Sequence, residues 1–88
     1  MEYKIATRRL ADQLELPRTF HYFLVVDWVE AGAFCCESYG VRITEEGGET
    51  VLLPALTVSA VRVDELITLL IEHHVGPAGL RDVVADWL

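Results

Sequence analysis

Eighty-eight residues suffice for one small domain, and a chain this short buries only a modest share of its surface, so its core has to be efficient. Hydrophobic residues are 52% of the chain and charged residues 24%, which is a globular composition and excludes a disordered one. Its 14 acids against 7 bases give a formal charge of −7, which excludes sequence-independent binding to nucleic-acid backbones and disfavours an anionic membrane surface.

The start MEYKIATRRL lacks the apolar segment of a signal peptide, and no apolar run reaches the ~20 residues of a membrane helix. Two cysteines without an export signal read as reduced thiols in a cytoplasm. The hydrophobic share is slightly high for so small a chain, a first sign that another chain covers apolar surface. Lys4, Arg8, Arg9 and Arg18 gather the bases at the start, whereas residues 27–72 hold only Arg42 and Arg62 against nine acids. That acidic middle reads as a solvated, soluble surface.

Tyr3, Ile5 and Thr7 alternate with Lys4, Ala6 and Arg8 and begin a strand. Residues 7–15 admit two readings: a short helix, with Leu10 and Leu14 four apart, or the preferred continuation of the strand. Pro17 then turns the chain. Residues 19–29, TFHYFLVVDWV, are the clearest strand. Phe20, Tyr22, Leu24, Val26 and Trp28 share its core face, and His21, Phe23, Val25, Asp27 and Val29 the other. EAG turns the chain into AFCCESYGVRIT, a third strand, and EEGGE ends that strand with glycines suited to positive φ. TVLLPALTV is a fourth strand or strand pair, an edge or a broken one because Pro54 cannot donate to a ladder.

The period then changes. A helix is expected over about 60–74, with Ser59 as N-cap and Asp64 and Glu65 early in it. Its apolar residues Val63, Leu66, Ile67, Leu69, Leu70 and Ile71 cover an arc of roughly 200°, wider than one side of a small sheet requires. Gly76 suits a C-cap and Pro77 the first turn of a second helix at about 77–87, where Leu80, Val83, Val84, Trp87 and Leu88 form the buried stripe. These elements describe an α+β domain spanning 1–88: an antiparallel sheet of about four strands over residues 2–58, followed by two helices packed on one face. The opposite face would show Phe23, Val25 and Val29 to water. With the wide arc of the first helix, this predicts a homodimer or another protein partner.

Cys35 and Cys36 are adjacent, and adjacent strand residues point to opposite faces. They lack the spacing of a zinc or redox pair, so one is expected in the core and one outside. His73 and His74 do not have the i, i+4 spacing of a helical metal pair, and they suit the negative end of the helix dipole. Ser38, Ser59 and the cysteines lie in no nucleophile frame. No catalytic residue, metal ligand or cofactor site is therefore assigned. The competing reading is a small-ligand or metal site assembled from His21, His73, His74 and a cysteine.

The segments YGVRI and VGPAGLRDVVADWL resemble a family of short uncharacterised Firmicutes proteins, a domain of unknown function. That family has a Tyr-Gly-hydrophobic strand, matched by Tyr39 and Gly40, and a C-terminal helix V-x-P-x-x-L-R-D-V-V-x-D-x-L. Ala85 stands where the family often has an acid. The resemblance implies a Gram-positive origin and a cytoplasmic protein, and it implies no activity. Packing accounts for half of the helix motif. Arg81 and Asp82 remain, either as a surface contact for a partner or as an ion pair with the sheet plus an acid near the helix start. Tyr39-Gly40 marks a bulge or a close backbone approach. The sequence thus leads to a small non-catalytic interaction or regulatory domain whose candidate contacts are Arg81, Asp82, Phe23 and Val25.

Overall fold

Strands β1 (Glu2–Leu10), β2 (Arg18–Ala31), β3 (Phe34–Glu45) and β4 (Thr50–Thr57) form one antiparallel sheet in sequence order in the computed structural model, which describes residues 1–10 and 17–88. Helix α1 (Ala60–Glu72), a 3₁₀ turn (Pro77–Gly79) and helix α2 (Leu80–Trp87) follow. This is the expected α+β order. Residues 7–10 belong to β1, and the remainder of the 7–15 ambiguity lies outside the described residues. The turns fall where the glycines allow them. Gly32, at φ +64°, opens the two-residue β2–β3 loop, and Gly47, at φ +74°, lies between β3 and β4.

The core lies between one sheet face and the helices. Phe20 and Tyr22 of β2, Val41 and Ile43 of β3 and Val51 of β4 meet Val63, Leu66, Ile67 and Leu70 of α1 and Leu80 and Val84 of α2. Each such side chain stabilises by about 1.5–3 kcal/mol when fully buried. The Tyr22 hydroxyl donates to the Val75 carbonyl at 2.9 Å and so ties the sheet to the link between the helices. At the other end of the core, Arg18 forms a two-pronged bond to Glu45, Nε–Oε1 2.7 Å and Nη2–Oε2 3.1 Å. The guanidinium holds the Glu45 carboxyl below its ordinary pKa, chiefly through that hydrogen bond.

Ser59 caps α1 by accepting from the Arg62 amide at 3.2 Å. Asp64 and Glu65 fall beyond the first turn, later than the dipole argument assumed. The helix also ends earlier than expected. Val75 N–H bonds to Leu70 O (2.9 Å) and His74 N–H to Ile71 O (3.2 Å), while His74 adopts φ +50°. This is the Schellman termination, with His74 in the position usually held by glycine. Gly76 therefore does not cap α1. It is small for another reason: a Cβ there would stand 2.9 Å from Cζ of the buried Phe20 ring.

Two surfaces differ from expectation. Val63, Leu66, Ile67 and Leu70 of the α1 apolar arc are buried and Leu69 and Ile71 half-buried within the chain itself. On the sheet face away from the helices Val29 is exposed as expected, but Phe23 and Val25 are not. Val25 is only 5% exposed, and Phe23 lies half-buried under the Arg42 guanidinium, 3.9 Å from the ring centroid. Arg42 also bonds Glu2 and Thr44. The cause at Val25 is a bulge. Between the pairs Val41↔Leu53 and Tyr39↔Thr57, β4 inserts Pro54, Ala55 and Leu56 where β3 has only Gly40. Ala55 takes φ +53°, and β4 approaches β2 across β3. Val25 is the ladder partner of Gly40.

The β2–β3 hairpin outruns the rest of the sheet. The β1 ladder stops at Glu2↔Val25, extended by the Met1–Val26 backbone bonds, and the β4 ladder stops at Tyr39↔Thr57. Residues 27–38 thus project as a two-stranded arm, which agrees with a molecular extent of 55 × 23 × 17 Å. Trp28 lies on the core-facing side as expected, but it is 68% exposed because it sits beyond the helices. Cys35 and Cys36 are both exposed free thiols. Alternation does place them on opposite faces, but the arm has no core for either to fill.

Candidate functional site

The arm's helix-side face is set by register. Tyr3 pairs with Leu24, Val26 with Tyr39 and Trp28 with Glu37, and paired residues share a face. Glu30 and Cys35 follow toward the tip. Where the helices end, these side chains and Met1 leave a concavity of about 530 Å³ lined by Met1, Tyr3, Leu24, Val26, Trp28, Glu37 and Tyr39. Its rings are accessible: Tyr3 is 48% exposed and Trp28 more so. The Tyr39 hydroxyl donates to Glu37 Oε2 at 2.8 Å. That bond, then burial and the charge of Glu37 itself, raises the Tyr39 pKa, so the phenol stays neutral. Met1 closes the rim. Its ammonium donates to Val26 O at 2.9 Å and its thioether accepts from the Tyr3 hydroxyl. Such a site combines aromatic walls with a carboxylate, the lining of a ligand-binding concavity.

The sheet's other face offers a different group. Thr7 Oγ1 lies 3.0 Å from His21 Nδ1, and His21 Nε2 lies 3.6 Å from the exposed Glu46 carboxylate, beside a polar hollow lined by Arg9, Pro17, Thr19 and Glu46. The order hydroxyl, imidazole, carboxylate invites comparison with a nucleophilic triad. However, 3.6 Å is too long for the orienting hydrogen bond, and Glu46 is solvated. The group is a cross-strand polar pair next to a loop acid.

The sequence-derived candidates are not brought together. His21 is on the outer sheet face, His73 and His74 end α1, and the cysteines are on the arm, with Cys35 ten ladder pairs from Phe20, or about 33 Å along the strand. Among the described residues no three His, Cys, Asp or Glu side chains converge where an ion could be held. Arg81 and Asp82 are exposed on α2 and make no ion pair among the described residues, so the expected bridge to the sheet is not formed; Asp82 does lie in the first turn. Phe23 and Val25 are covered, as described above. Tyr3, Trp28 and Glu37 were not anticipated as a site. A length argument could have found them: a 14-residue strand spans about 46 Å, whereas the 13-residue α1 spans about 20 Å, so the far end of the hairpin could not be covered.

A sequence family described as "Family of unknown function (DUF6514)" matches residues 1–88. The chain belongs to that family. No curated protein and no solved structure matches the chain. Among the described residues of this DUF6514 domain, no helix is long and apolar enough to cross a membrane.

Proposed function

We propose that this DUF6514 domain is a non-catalytic protein-interaction or regulatory module of the cytoplasm, and that it engages another protein through the helix-side face of the arm. The observation that carries the reading is the projecting ribbon itself, with Trp28 68% exposed on its helix-side face and Phe34 79% exposed on the opposite face at the tip. A two-stranded ribbon alone is marginal in water, and Tyr3, Trp28 and Tyr39 gathered in one open concavity have the aromatic character of an interface core. The free thiols suit a reducing compartment.

A different protein is favoured over a second copy. Residues 19–41 contain Asp27, Glu30 and Glu37 and no Lys or Arg, so two arms set face to face would repel. An arm set on the basic start of another copy would form a heterologous contact that propagates. The test is a photo-crosslinking amino acid at position 35, exposed on the helix-side face of the arm, compared with one at the exposed Val61 of α1, in the native host. A discrete adduct to another protein from position 35 alone, lost on Trp28→Ala, is the expected result. Equal labelling from both positions, or a self-adduct accompanied by a dimer in sedimentation, overturns it.

A further inference from the structure

Building on the reading of the arm as a docking surface, we infer that the cleft at its base is a receptor for a single arginine side chain of the partner. Three observations converge. Tyr3, Trp28 and Tyr39 line one concavity, and ring faces attract cations, most strongly the face of Trp. Glu37 sits directly across from Trp28. Its Oε2 is occupied by Tyr39, and its Oε1 has no partner among the described residues. Glu30 lies on the same face two ladder pairs further out.

The third observation is a contrast within the molecule. Phe20, Phe23 and Trp87 each carry an arginine over the ring, Arg18 at 5.2 Å, Arg42 at 3.9 Å and Arg62 at 4.3 Å. Among the described residues, the three rings of the cleft carry none. The cation already at the rim, the Met1 ammonium, is held by Val26 O. An open aromatic site with carboxylates and no cation of its own over the rings is complementary to a guanidinium. Arginine fits better than lysine because its plane stacks on Trp28 while its fork reaches the free oxygen of Glu37.

The test uses the full chain, labelled with ¹⁵N, and two small probes: acetyl-Gly-Arg-Gly-amide and its neutral citrulline counterpart. The expected result is a saturable shift of the Trp28 indole N–H and the Glu37 and Tyr39 amides with the arginine probe, at least about fivefold weaker with citrulline. Glu37→Gln and Trp28→Leu change exposed side chains, so both variants fold, and each weakens the arginine probe by a similar factor. Equal shifts from both probes, or shifts confined to the Glu45–Glu49 loop, overturn the inference. Glu37→Gln also separates this inference from the docking reading. An arm crosslink that survives the substitution undiminished refutes the arginine receptor and leaves the docking surface standing, whereas no arm crosslink in the unaltered protein refutes the docking surface.

Discussion

A side chain at position 40 would have to share space with the backbone of β4. A Cβ there falls 2.7 Å from Pro54 Cα and 3.0 Å from its carbonyl carbon, and meets the Leu53 carbonyl oxygen more closely still. Backbone held in a ladder on either side of a bulge does not move aside as a flexible side chain would. Gly40→Ala is therefore expected to destabilise by about 2–3 kcal/mol, read from a urea midpoint that shifts without a change in slope. A result below about 0.5 kcal/mol would mean that the bulge is soft. Two residues away, Ser38 is buried and its hydroxyl has no hydrogen-bond partner among the described residues. Removing an unpaired buried hydroxyl relieves a desolvation cost of about 1 kcal/mol or more. Ser38→Ala should leave stability unchanged or raise it, and a clear loss in the same titration would reveal a partner for Oγ.

At the scale of elements, the join between sheet and helices rests on the α1 termination. His74 pays the left-handed penalty that glycine escapes, so His74→Gly is expected to raise thermal stability by a few degrees, equivalent to about 0.5–1 kcal/mol. No change would mean that the imidazole makes a compensating contact. The adjoining Tyr22–Val75 bond predicts a pH response. Burial raises the Tyr22 pKa above its ordinary 10.0, more than Arg8 lowers it. A group whose folded pKa is raised contributes stability that is fully present below the unfolded value and is lost as pH rises through the folded one. Unfolding free energy should thus fall above pH 10, and Tyr22→Phe should flatten that fall while lowering stability near neutrality. The order of elements, the turns at Gly32 and Gly47 and the Ser59 cap were legible in the sequence because each depends on neighbouring residues. The α1 end was not: Gly76 looked like a cap, but its smallness answers to Phe20, some 56 positions away. The same holds for Val25, hidden by a bulge in a strand two places across the sheet. It holds for the cleft, whose walls come from three strands and whose opening depends on where the helices stop.

The whole molecule divides into a body that folds and an arm that protrudes. Residues 18–26 of β2 and 39–45 of β3 hold both the core positions and the ladders to β1 and β4. Beyond them, Trp28, Val29, Glu30, Cys35, Cys36 and Glu37 are all exposed. If the body is the folding unit, the arm is dispensable for stability. Asp27 and Ser38 are a ladder pair in the same phase as Ala31 and Phe34, the pair that closes the natural turn. Replacing residues 28–37 by Asn-Gly should therefore form a two-residue hairpin at that point. The shortened chain loses little buried apolar area, so its unfolding free energy should stay within about 1 kcal/mol of the full chain. Its denaturant slope should fall only slightly, because little surface is newly exposed on unfolding. Retained two-state unfolding together with failure of the shortened chain to co-purify the partner that the arm crosslink identifies would assign stability to one half of the hairpin and recognition to the other. A drop of several kcal/mol would show that the arm belongs to the folding unit and that its exposed aromatics support the sheet.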